Sequence, residues 1–131
     1  PLIPSKPLSL SSSAAAFSVL KPVLIGLAHE EFWVLYLDNA HVVIERSLLG
    51  KGGITATVVD IRLLLQQALK WGATAMIVAH NHPTGNLTPS AADKTLTLKL
   101  KDAAKLLDMV LLDHIIVGKN EYFSFADQQL L

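Results

Sequence analysis

The sequence predicts an α/β fold in which a mixed β-sheet is sandwiched by helices, and three observations carry that reading. Residues 73–79 (ATAMIVA) form a short continuous apolar run, as expected of a central strand buried on both faces. Ile61, Leu64, Leu65, Ala68 and Leu69 recur at the spacing of one helix face. Strand and helix patterns alternate irregularly along the chain, which suits a sheet with both parallel and antiparallel pairs.

Taken in order, residues 1–13 hold three prolines and a serine cluster and read as a poorly ordered lead-in whose serines can cap the next helix. Residues 14–131 then form the domain. Its first helix is expected over residues 14–28, bent or divided by Pro22, with Phe17, Leu20, Leu24 and Leu27 in line. Residues 32–37 (FWVLYL) are aromatic and β-branched, end at the turn pair Asp38-Asn39, and form a hairpin with residues 41–46. Gly50, Gly52 and Gly53 punctuate the next stretch, and residues 54–58 read as a short strand. The helix over residues 59–71 stops at Gly72, and the buried strand 73–79 follows. Residues 80–89 (HNHPTGNLTP) are loop by every local signal. Ser90 stands where an N-cap belongs, with Asp93 in the first turn of a helix through residue 107. Strands 110–117 and 121–125 close the domain.

Composition narrows the function classes. The 131 residues carry 11 Lys+Arg against 11 Asp+Glu, so no global field favours nucleic acid. Lys94, Lys99, Lys101 and Lys105 cluster in sequence but read as a solvated helix face. With no cysteine, disulfides, thiolate nucleophiles and cysteine-based zinc sites are excluded, and any metal must be held by nitrogen and oxygen. The same absence fits a cytoplasmic protein. No apolar run reaches the roughly 18 residues of a membrane span, and the start lacks a signal-peptide pattern. The sequence begins without Met, as is expected of a processed or excised chain.

The chemistry lies in H-x-H-x7-S-x-x-D: His80, His82, Ser90 and Asp93. Two histidines leaving the end of a strand can turn their ring nitrogens to one point, and a carboxylate in the first turn of the next helix completes three ligands. A catalytic zinc wants such a set, with a fourth position left for water. Bound there, a water's pKa falls from about 15.7 toward about 7. A carboxylate is needed to take its proton and pass it to the leaving amine, and Ser90 is placed to donate to the developing oxyanion. Singly, these residues have ordinary roles as loop histidines, a helix cap and a partner for the helix dipole; together they point to a metal site.

The pattern resembles the JAMM motif of MPN/JAB metalloproteases, the group that includes deubiquitinating subunits of the proteasome lid and the signalosome. The finer text is similar to its bacterial RadC-like branch: EEFWVLYLD at 30–38, AHNHPTGNLTPSAAD at 79–93 and LLDHIIVGKNEYFSF at 111–125. The resemblance runs from about residue 12 to the end. It implies an MPN/JAB, cytidine deaminase-like architecture and zinc on His80, His82 and Asp93. It further implies oxyanion assistance from Ser90, a protein or peptide substrate, and a catalytic glutamate at the head of the first strand. RadC-like sequences place that glutamate two residues before the strand's phenylalanine, which selects Glu30. Strand alternation groups Glu30 with Phe32 and Val34, and Glu31 with Trp33 and Leu35; which face meets the metal is not legible, so Glu31 stays the second choice. Full-length RadC-like proteins also carry a helical region resembling helix-hairpin-helix modules, for which this sequence has no room. The DNA-repair label of the family finds no basic stripe here to support it.

Asp113 and His114 precede an apolar run and must point to opposite faces of a strand, so at most one lines the site, in a supporting role. His29 reads as a helix-end residue, His41 as solvent-facing, and Trp33 and Trp71 as core or half-buried packing. An exposed face of the first hairpin would suit a homodimer. Beside the hydrolase reading stand two others: an MPN-type scaffold or DNA-repair-associated binding module, and a metal-dependent nuclease, whose need for several carboxylates a His-His-Asp set meets poorly.

Overall fold

The computed structural model describes residues 9–52 and 59–131. Chain order is α1 (Ser13–Leu24), β1 (Glu31–Leu37), β2 (Val43–Lys51), α2 (Ile61–Trp71), β3 (Ala75–Asn81), α3 (Ala91–Leu106), β4 (Val110–Val117) and β5 (Tyr122–Ser124). The strands form one mixed sheet in the order β2-β1-β3-β4-β5. Among the described residues only β3 and β4 run parallel, joined through α3, and every other strand pair is antiparallel. The expected strand at 54–58 lies outside the described residues.

Period-two alternation decides which side chains enter which layer. Phe32, Val34 and Tyr36 of β1 with Met76 and Val78 of β3 face α2 and α3, where Leu64, Leu65, Ala68, Leu96, Leu100 and Ala104 complete one core. Leu35, Leu37, Ala75, Ile77, Ala79, Ile115 and Val117 face the other way, onto Ala16, Leu20 and Leu24 of α1. Every residue of β3 is buried, as its apolar run requires. The sheet is sandwiched by helices, as the sequence predicts.

Helix ends follow local chemistry. Ser12 caps α1, its hydroxyl accepting from Ala15 N at 3.1 Å, and Asp60 caps α2 by accepting from Leu63 N at 3.0 Å. Gly72 ends α2 in the left-handed region at φ 70°. The lysines of α3 lie on its outer side, with Lys94, Lys99 and Lys105 exposed.

Several local expectations differ from the structure. Helix α1 stops at Leu24, not at residue 28: it runs through Pro22, Ile25 is already extended, and Gly26 follows in the left-handed region at φ 78°. His29 is therefore not at a helix end. The strand expected over 41–46 runs from Val43 to Lys51, the turn being held by Asp38 Oδ1, which accepts from Ala40 N and Val42 N. Gly50 does not break it, since it pairs with Phe32 on an edge strand. Trp71 is 42% exposed, its ring beneath Lys70 Nζ at 5.0 Å. Of the lead-in, Ser9 bridges to Val42 and Leu10 is buried.

Candidate metal centre

The C-terminal end of β3 and the N-terminus of α3 meet at one point. His80 is the sixth residue of β3 and faces the α2/α3 side, opposite Phe32 in register and stacked 6.3 Å from its ring. The loop then turns back: His82 N donates to Val117 O at 2.9 Å and Gly85 N to His82 O at 2.9 Å. Gly118 makes room for this loop, since a Cβ there would lie 2.7 Å from Leu87 Cδ2 and 3.1 Å from Gly85 O.

Helix α3 opens with a reciprocal capping box. Ser90 Oγ accepts from Asp93 N at 3.0 Å, and Asp93 Oδ2 accepts from Ser90 N at 2.7 Å. The cap holds the carboxylate with Oδ1 3.3 Å from His80 Nε2 and Oδ2 3.7 Å from His82 Nε2. The two Nε2 atoms lie 3.0 Å apart. One ligand atom from each of His80, His82 and Asp93 falls within 4.8 Å of the others.

The donor set fits a divalent cation. Asp93 and His80 are buried and His82 is half-buried, so the cluster is open on the His82 side. Burial opposes ionisation of Asp93, but hydrogen bonding by His80 and His82 outweighs it and holds the carboxyl well below its ordinary range. The Asp93 carboxylate in turn raises the pKa of His82, against the effect of burial, and the charge of Glu30 adds to the rise. His82 Nδ1 lies 2.6 Å from Asn86 O, which can only accept, so the neutral ring carries its proton there and turns the Nε2 lone pair into the cluster.

The two glutamates part company. Glu31 sends its carboxylate to His29 Nε2 (2.7 Å) and Trp33 Nε1 (2.9 Å), on the side of Leu35 and Leu37, away from His80. Desolvation there is outweighed by Trp33 and His29, and the Glu31 pKa is lowered. Glu30 precedes β1 by one residue, is half-buried, and has its carbonyl bound by Gly52 N at 2.9 Å. Asn81 reaches across from between the histidines: its Oδ1 accepts from Glu31 N at 2.8 Å and its Nδ2 donates to His29 O at 2.9 Å. Backbone on both sides of Glu30 is thereby tied to the H-x-H segment. Nothing in the sequence pattern singled out Asn81.

Of the pair at 113–114, His114 is the one brought to the site, fully buried with Nε2 2.8 Å from His80 Nδ1. Asp113 faces the opposite layer, bound to Ser124 Oγ (2.6 Å), His114 N (2.7 Å) and Ala126 N (3.0 Å), and burial raises its pKa. Thr97 was missed in sequence. One helical turn beyond Asp93, it touches both Asp93 O and His114 Nδ1 at 2.6 Å.

The RadC-like JAB domain model matches residues 10–130. The chain belongs to the RadC-like JAB domain family. Relatives of this RadC-like JAB domain include a UPF0758 protein of Flavobacterium johnsoniae, 48% identical over 119 residues, covering 91% of this chain and 52% of that protein. A UPF0758 protein of Porphyromonas gingivalis is 42% identical over 124 residues, covering 94% and 55%. UPF0758 protein YfjY of Escherichia coli is 43% identical over 123 residues, covering 94% and 77%. The chain thus spans about half the length of the first two. The mixed five-stranded sheet with three helices is consistent with the JAB/MPN fold, and the His-His-Asp cluster fits a JAMM-type metal site. Among the described residues, no helix is long and apolar enough to cross a membrane.

Proposed function

We propose that this RadC-like JAB domain is a zinc-dependent hydrolase of amide bonds, with peptides or isopeptides as its substrate class. The observation that carries the reading is the convergence of His80, His82 and Asp93 within 4.8 Å, with His82 on the wall of an open cleft. Zinc held there supplies Lewis acidity to a water molecule and to the substrate carbonyl.

The chain's own residues do the rest. A cleft of about 540 Å³ walled by Leu24, Leu27, Pro83 and Lys119 adjoins His82. Glu30, on the alternation of Phe32 and His80, takes the proton of the attacking water and returns it to the departing amine nitrogen. Ser90 Oγ accepts from Asp93 N, so its own hydrogen is available to the carbonyl oxygen as negative charge grows there. Engagement of Glu31 by His29 and Trp33 supports Glu30 as the base.

Metal content measured by mass spectrometry tests the reading first. Wild type should carry close to one zinc per chain and His82→Ala none. On a panel of peptide and isopeptide substrates, Glu30→Gln should keep zinc and lose hydrolysis. Zinc retained in His82→Ala, or full activity in Glu30→Gln, would overturn the assignment. Wild type without zinc after reconstitution would leave an MPN-type scaffold.

A further inference from the structure

Behind His80 lies a chain of short polar contacts with no route to solvent. His80 Nδ1 is 2.8 Å from His114 Nε2, His114 Nδ1 is 2.6 Å from Thr97 Oγ1, and Thr97 Oγ1 is 2.6 Å from Asp93 O. Each of the three residues is at most 1% exposed. The His114 ring is stacked 4.6 Å from Phe125 and edge-on to Phe32 at 5.9 Å, so it is held in its plane.

Proton counting gives the chain one direction. A carbonyl oxygen only accepts, so the single hydroxyl hydrogen of Thr97 goes to Asp93 O, as a helical threonine bonds back to residue i−4. Thr97 then has only a lone pair for His114, which must carry its hydrogen on Nδ1. With that nitrogen protonated and the ring neutral, His114 Nε2 is an acceptor, and the hydrogen of its contact with His80 sits on His80 Nδ1. His80 Nε2 is left as a bare lone pair facing Asp93 and His82.

We propose that Thr97 and His114 are positioning residues for the metal centre, acting as a buried relay that starts at the backbone of one ligand, Asp93, and imposes the Nδ1–H tautomer on another, His80. The proposal rests on the reading of His80 as a metal ligand. Without the Thr97 hydroxyl the two imidazoles can reverse, His114 donating from Nε2 and His80 holding its hydrogen on Nε2, where an incoming ion must displace it. Partners of this kind are worth 10–100-fold in metal affinity.

The test uses ¹⁵N-histidine spectra of the metal-free chain, which distinguish the tautomers, together with zinc titration against a chromophoric chelator. Wild type should show Nδ1–H at both His80 and His114. Thr97→Val, nearly isosteric, should mix the tautomers and weaken zinc about 10–100-fold, and Thr97→Ser should restore both. Normal zinc binding with the His80 hydrogen on Nε2, or Thr97→Val with tautomers and zinc affinity unchanged, would overturn the relay alone. Wild type that takes up no zinc would overturn the ligand assignment and the relay's role with it. If Thr97→Val does not fold, the wild-type tautomers decide, Nε2–H at either ring overturning the relay.

Discussion

Glu30 and Glu31 are chemically identical neighbours, and one residue of strand register sends them to different layers. Trp33 and His29 stabilise the Glu31 carboxylate against burial, so its folded pKa is below the usual 4.5. A depressed carboxyl contributes stability that is complete above about 4.5 and is lost as pH falls through the folded value. Glu31→Gln should therefore remove part of the acid-induced loss of stability, read as a flatter dependence of denaturant midpoint on pH below about 4.5, while zinc content stays at the wild-type level. Loss of hydrolysis with zinc retained in this variant would mean that Glu31, not Glu30, is the base. His29, which the sequence puts at a helix end, instead serves Glu31, because α1 ends at Leu24.

At the scale of the element, α3 and its entry loop do two jobs with one motif. The capping box satisfies the first turn of the helix and at the same time aims the Asp93 carboxylate at the histidines. Ser90→Ala should cost about 1 kcal/mol of stability, measured by urea unfolding, and should lower hydrolysis further than that loss explains. Ser90→Asn, which caps as well, separates the roles, since stability should return toward wild type without the hydroxyl. Gly72 shows a purely structural terminus: at φ 70° a Cβ is strained even with open space around it. Gly72→Ala should cost about 1 kcal/mol and leave zinc binding unchanged.

For the whole molecule, the sheet divides two cores, and the candidate metal centre sits at the edge of one of them, where β3 ends. Leu100 is fully buried in that core, so Leu100→Ala should destabilise by about 2–5 kcal/mol. Zinc binding to the folded chain alone adds about 2.7 kcal/mol when free zinc is one hundred times its Kd. Thermal unfolding should accordingly shift to lower Tm on addition of a chelator in wild type, and should be indifferent to it in His82→Ala. An equal chelator effect in both would place the stabilising ion elsewhere.

Elements with a dense local signal were legible in the chain itself. The uniform apolar run of β3, the amphipathic face of α2, and the cap before α3 each depend on neighbours within a few residues. His80, His82 and Asp93 were legible for the same reason, since they are spaced along one strand, loop and helix start. Three-dimensional packing alone decided the rest. Which face of β1 meets the metal depends on the pairing of Phe32 with His80, 48 positions away, and so settles where Glu31 points. Thr97, His114 and Asn81 act through hydrogen bonds to residues 17, 34 and 50 positions distant. Such bonds leave no periodicity, because their requirement is a single buried donor or acceptor met across the sheet.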